Sequence, residues 1–223
     1  VRIAGIIALI AIFMIVLFSF DPFGSIPEPI EEIVNRVNVP NLVTSVYLET
    51  RLYDTIFEII VFTITALGVA SLFTSLPVNS DEGQQVFGTV TVYSGGLAAL
   101  SITLFLYVVI NGHISPGGGF VGGVVLATGV VTYGLTSSFR RASLHYEIFK
   151  VNILENVSLI LIFAFSCFIM IFPEAHAQML SEAGFGSVFS GGLIPMMNIL
   201  IGIKVYAGAW KMSSEFIDRR GTL

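Results

Sequence analysis

Residues 92–137 read VYSGGLAALSITLFLYVVINGHISPGGGFVGGVVLATGVVTYGLTS, a stretch without one Asp, Glu, Lys or Arg. Two apolar runs, 92–110 and 120–137, flank a break at NGHISPGGG. Each run approaches the roughly 20 residues that a helix needs to cross a hydrocarbon core of about 30 Å. Pro116 and the consecutive Gly117, Gly118 and Gly119 end one helix and let the next begin. The stretch therefore predicts two bilayer-spanning helices joined by a tight turn. Working outward, four further runs have span length: 3–20 without a charge, 52–73 with Asp54 and Glu58 near its start, 153–172 with Glu155, and 192–210 with Lys204. The expectation is an all-α integral membrane protein with six transmembrane helices, arranged as two plus four.

Composition agrees. Hydrophobic residues make up 55% of the 223 and charged residues 11%, against about 25% charged in soluble domains. That excludes an ordinary soluble enzyme and a disordered chain. A formal charge of −5 offers no basic surface for nucleic acid. The single cysteine, Cys167, excludes a disulfide framework and a cysteine-based metal cluster.

The run 3–20 follows Arg2, exceeds the roughly 7–15 residues of a signal-peptide core and lacks a small-residue cleavage pattern, so it reads as a retained helix. Alternating six spans from an inside N-terminus puts Arg2, Arg140, Arg141, Lys150, Lys211, Arg219 and Arg220 in the cytoplasm, with Arg36 and Arg51 outside. The positive-inside rule then places both termini in the cytoplasm of a multi-pass plasma-membrane protein. A composition break at LPVNSDEGQQVFG (76–88) suggests a two-helix unit over 1–78, a linker over 79–91 and a four-helix unit over 92–223. Residues 30–37 suggest a short interfacial helix, and 173–190 an outer-face helix or loop.

Gly117, Gly119 and Gly122 satisfy G-x-G-x-x-G, but an apolar helix precedes them and Ala142 stands where a dinucleotide site needs an acid, so the nucleotide reading is rejected. Gly119, Gly123 and Ala127, four apart, form a small-residue ridge that lets another helix approach closely. The alternative is a re-entrant element exposing backbone to an ion or water. His113, in the turn and so expected at a membrane surface, reads as a structural hydrogen-bonder or a proton relay. Asp54 and Glu58 share one helix face; Asp54 suits a surface position at the helix start, and Glu58, a turn deeper, suits an ion path. Glu155 and Lys204 lie at similar depth on antiparallel spans and can pair, unless Lys204 snorkels to the inner interface. Pro195 and Asn198 suggest a kink in the last span whose freed backbone Asn198 satisfies, or a binding role.

The run 111–123 resembles the GHNxPGGGF turn of the B subunit of Mrp-type multisubunit sodium/proton antiporters, and FSGGLIPMMNILIGIKVYAG (189–208) resembles that subunit's last helix. PNLVTSVYLETRLYDTIFE (40–58) resembles the C-terminal extension of the antiporter A subunit, which is a separate small subunit in membrane-bound hydrogenases and sulfane-sulfur reductases. Here the two units read as fused. Ile114 stands where the turn usually has Asn, and Lys204 where many B subunits have Glu. The resemblance implies a membrane subunit that is not catalytic by itself and binds no cofactor. Sodium ions and protons would be the transported species. Its partners would be the bilayer, other membrane subunits and, in a respiratory complex, a peripheral redox arm. A purely structural subunit scaffolding larger antiporter-like subunits is the alternative.

Overall fold

A peptide group inside a bilayer finds no water, so a chain this apolar crosses as helix or closed barrel. The computed structural model describes residues 32–33, 39–73, 88–181, 186 and 190–219, and among these there is no strand. A short helix, α1 (Leu42–Ser45), continues as a π-helical turn (Val46–Thr50). Helix α2 (Leu52–Phe73) follows, then α3 (Gly88–Ile110) and α4 (Gly119–Tyr133), which a second π-helical turn (Gly134–Ser138) extends. Two shorter helices, α5 (Phe139–Ile148) and α7 (Pro173–Ser181), bracket the long α6 (Val151–Ile171), and α8 (Ile194–Asp218) closes the described chain.

Four helices are long and apolar enough to cross a membrane: Leu52–Phe73, Thr91–Ile110, Gly119–Ser137 and Val151–Ile171. The expected six spans become four among the described residues. The run 3–20, residues 79–87 of the expected 79–91 linker and most of the interfacial stretch 30–37 lie outside them, while residues 88–91 open α3. The run 192–210 does form a helix, α8, of 25 residues. It is less apolar than the other four because Asn198 and Lys204 interrupt it. Most of its surface meets protein, with Met197, Asn198, Ile201, Gly202, Lys204, Val205, Ala207, Gly208 and Trp210 all buried, while Met196 and Ile199 stay exposed.

Helix α8 is the axis of the bundle and packs against α4, α6, α2 and α3. Small residues set the spacing. A Cβ on Gly119 would lie 2.5 Å from the Asn198 carbonyl oxygen and 2.6 Å from the Ile201 Cβ. A Cβ on Gly123 would lie 2.6 Å from the Gly202 carbonyl oxygen and 2.7 Å from the Val205 Cβ. Ala127 is buried on the same ridge. Gly122 points the other way, against Val109 and Phe105 of α3. At the ends away from their connecting turn, α3 and the π-helical extension of α4 are stitched by hydroxyls: Thr91 Oγ1 donates to the Thr136 carbonyl (3.0 Å) and the Ser94 and Ser137 hydroxyls lie 2.5 Å apart. At the far end of α8, Trp210 stacks on Phe139 and sits against Tyr146 with Ala142 and Val151.

The expected kink at Pro195 is absent. Helix α8 starts at Ile194, so Pro195 sits in its first turn, where a missing N–H leaves no intrahelical bond unmade.

Replacing Gly123 by Leu drives a side chain into the backbone of α8, and overpacking of this kind costs about 1–3 kcal/mol or more. Gly96 on α3 has no atom within 4 Å of its Cβ position. Thermal unfolding in mild detergent should therefore be lowered clearly by Gly123→Leu and little by Gly96→Leu; equal effects would contradict the ridge packing.

Candidate functional site

The turn after α3 is where backbone must leave the helical pattern. Gly117 (φ 142°) and Gly118 (φ 133°) adopt conformations that side chains rarely allow. The carbonyls freed there need donors, and the 39–50 segment supplies them. Asn41 Nδ2 donates to the carbonyls of Gly112 (2.7 Å) and Ser115 (2.8 Å), and its backbone N–H to that of His113 (3.1 Å). Thr44 Oγ1 donates to Gly112 as well (2.7 Å). His113, expected at a membrane surface, is fully buried beneath this segment. Pro116 stays exposed at the tip.

Asn198 on α8 joins this turn to the π-helical turn that follows α1. Its Oδ1 accepts from the Tyr47 hydroxyl (2.9 Å) and from the Gly119 backbone N–H (3.1 Å) at the start of α4. The Gly119 N–H can only donate, which fixes the oxygen of the amide on this side. Burial, first of all, pushes the Tyr47 phenol above its usual range, and the charge of Glu58 adds to the shift. Tyr47 is also one wall of an open pocket of about 350 Å³ shared with Arg51, Asp54, Thr55 and Glu58. Asp54 is ion-paired with Arg51, and both are exposed. Glu58 lines the pocket one turn further along α2 and is exposed. Nearby, His176 of α7 binds Glu49 of the π-helical turn (Nε2 to Oε2, 2.8 Å).

A second polar centre lies deeper in the bundle. Lys204 of α8 donates to Glu155 of α6, and both are buried, at 2% and 8% exposure. Lys204 thus does not snorkel. Burial, then the charge of Glu155, pushes the phenol of the neighbouring Tyr146 up, and its hydroxyl donates to Asn152 (3.0 Å). Lys204 follows Asn198 by six residues, about 9 Å along one helix. The two centres are therefore carried by a single buried helix. Among the described residues no cluster of His, Cys, Asp and Glu could hold a metal ion.

The structure brings Glu155 to Lys204, Asp54 to Glu58, and Asn198 to Gly119, while Gly122 and Gly123 face opposite neighbours. Sequence reading missed Asn41, Thr44, Tyr47 and the Glu49–His176 pair. Asn41 did leave a signal: it follows Pro40 and caps α1, its Oδ1 accepting from the Val43 N–H (3.2 Å).

Breaking a buried ion pair by removing one partner typically costs about 3–5 kcal/mol, because the other charge stays buried. Lys204→Met and Glu155→Gln should each lower folded yield or stability, and the double variant should cost less than their sum. A double-mutant cycle without coupling would contradict the pairing.

Residues 89–211, more than half of the chain, match the family described as a domain related to the MnhB subunit of Na+/H+ antiporters. The uncharacterised protein MJ1307 of Methanocaldococcus jannaschii is 24% identical over 220 residues, covering 86% of this chain and 83% of the relative. A chain in the structure of the membrane-bound sulfane sulfur reductase, an archaeal respiratory membrane complex, shares the fold. Its TM-score is 0.68 at 22% identity, covering 96% of this chain and 97% of the other. The chain therefore belongs to the family of domains related to the MnhB subunit of Na+/H+ antiporters.

Proposed function

We propose that the chain is a membrane subunit of an Mrp-type sodium/proton antiporter module and takes part in cation translocation within a larger antiporter or respiratory complex. The observation that carries the reading is the buried Lys204–Glu155 pair on the central helix. Ionisable groups inside a membrane bundle are costly, and they mark ion and proton paths. Tyr47 links the Glu58 pocket to Asn198, about 9 Å before Lys204 on the same helix. On this reading sodium and protons are cargo, and any redox chemistry belongs to a peripheral arm carried by other subunits.

The proposed topology has six spans, with 3–20 and α8 added to the four apolar helices and both termini cytoplasmic. It divides into a front unit resembling the antiporter A-subunit extension and a four-helix unit after the 79–91 linker. Family membership of residues 89–211 supports the second unit. In a Cys167→Ser background, a cysteine at Ala177 of α7 should be labelled from outside and one at Glu147 of α5 only from inside. The reverse pattern would overturn the topology.

A purely scaffolding role is the second reading, and the close seating of α4 on α8 through Gly119 and Gly123 favours it. Transport decides between them. Measured per assembled complex, Glu58→Gln should impair sodium-dependent activity more than Asp54→Asn, whose carboxylate already has Arg51. Unchanged sodium dependence in Glu58→Gln, Glu155→Gln and Lys204→Met would leave the scaffold.

A further inference from the structure

The four apolar helices carry three carboxylates between them, all on α2 and α6. Asp54 has Arg51 and Glu155 has Lys204. Glu58 has no ion-pair partner among the described residues, and it is exposed. It lies six residues into α2, about 9 Å from the helix start at 1.5 Å per residue. A glutamate side chain is shorter than the Lys and Arg chains that snorkel to the interface. It lines the pocket beside Arg51, but that guanidinium is taken by Asp54, so an ionised Glu58 at the membrane edge still lacks a counter-charge of its own.

The face around it differs from the other exposed faces. Glu58, Val61, Thr65 and Gly68 recur at steps of three, four and three residues, and all are exposed. That spacing is the seam that one helix offers to another crossing at a shallow angle. Gly68 has no atom within 4 Å of its Cβ position, so a second backbone can come close there. By contrast, α3 exposes residues such as Val92, Leu100 and Leu104 and has no charge anywhere along it. Lipid suffices to cover it.

We propose that the Glu58–Gly68 face of α2 is the docking surface for a transmembrane helix of another subunit, which brings a Lys or Arg to the depth of Glu58. Charge selects the occupant. The run 3–20 of this chain is the other apolar helix-length segment at hand, and it contains no Lys or Arg. It cannot neutralise Glu58. The proposal rests on the chain being a subunit of a larger membrane complex.

Photo-crosslinking in the intact complex tests it, with the reactive residue at Val61 or Thr65. Adducts should form with a helix of another membrane subunit, and that helix should carry a basic residue level with Glu58. Glu58→Lys should reduce recovery of that subunit on the tagged chain by about tenfold or more, and exchanging the partner's basic residue for Glu should restore it. Gly68→Leu should also reduce recovery, while Gly96→Leu on α3 should not. Adducts confined to lipid or to residues 3–20, or a partner helix without a basic residue at that depth, would overturn the docking surface while leaving the subunit reading intact. If no other membrane subunit co-purifies with the unsubstituted chain, both readings fall.

Discussion

A lysine halfway along a helix in the centre of a bundle has to be met by an anion or leave for water. In this chain Lys204 is met by Glu155, and the rest of the arrangement is consistent with keeping that pair dry. Helix α8 must be wrapped by other helices along its buried length, because lipid tails offer nothing to a charged or amide side chain. It is wrapped by α2, α3, α4 and α6. Close wrapping in turn requires small residues. Gly202 and Gly208 on α8, and Gly119 and Gly123 on α4, lie where a larger side chain would meet a neighbour.

The same logic explains the turn between α3 and α4. Its backbone leaves the helix, and its carbonyls lie under protein. Asn41 and Thr44 satisfy them from a segment some seventy residues earlier in sequence, and Asn198 receives the first N–H of α4. The front segment is therefore a working part of the four-helix unit. It caps the turn, it holds Asn198 through Tyr47, and through Glu49 it reaches His176 on α7.

How much of this could be read beforehand depends on the range of each interaction. The helix pair 92–137 and its glycine break were plain, since apolar run length and Pro/Gly punctuation are local. The ridge of Gly119, Gly123 and Ala127 was visible from its spacing, but its partner was not, because close approach says nothing about which helix approaches. Glu155 and Lys204 could be matched because antiparallel spans fix depth. The contacts of Asn41, Tyr47 and Asn198 were out of reach, as they join positions 71 to 151 residues apart with no periodicity to announce them. His113 was misplaced for a related reason: a turn between spans suggests a surface, and the 39–50 segment that covers it has the composition of a loop. Pro195 suggests a kink only if the helix begins at 192; the start two residues later puts it in the first turn.

Helix α8 carries a buried charge, Lys204, that Glu155 settles inside the chain. The most direct measurement is cryo-electron microscopy of the intact complex at side-chain resolution. Density for Lys204 should run into that of Glu155, with Asn198 seated between Tyr47 and the Gly119 amide. A Lys204 side chain extended to the inner membrane interface, or engaged by a carboxylate of another subunit while Glu155 points elsewhere, would contradict it.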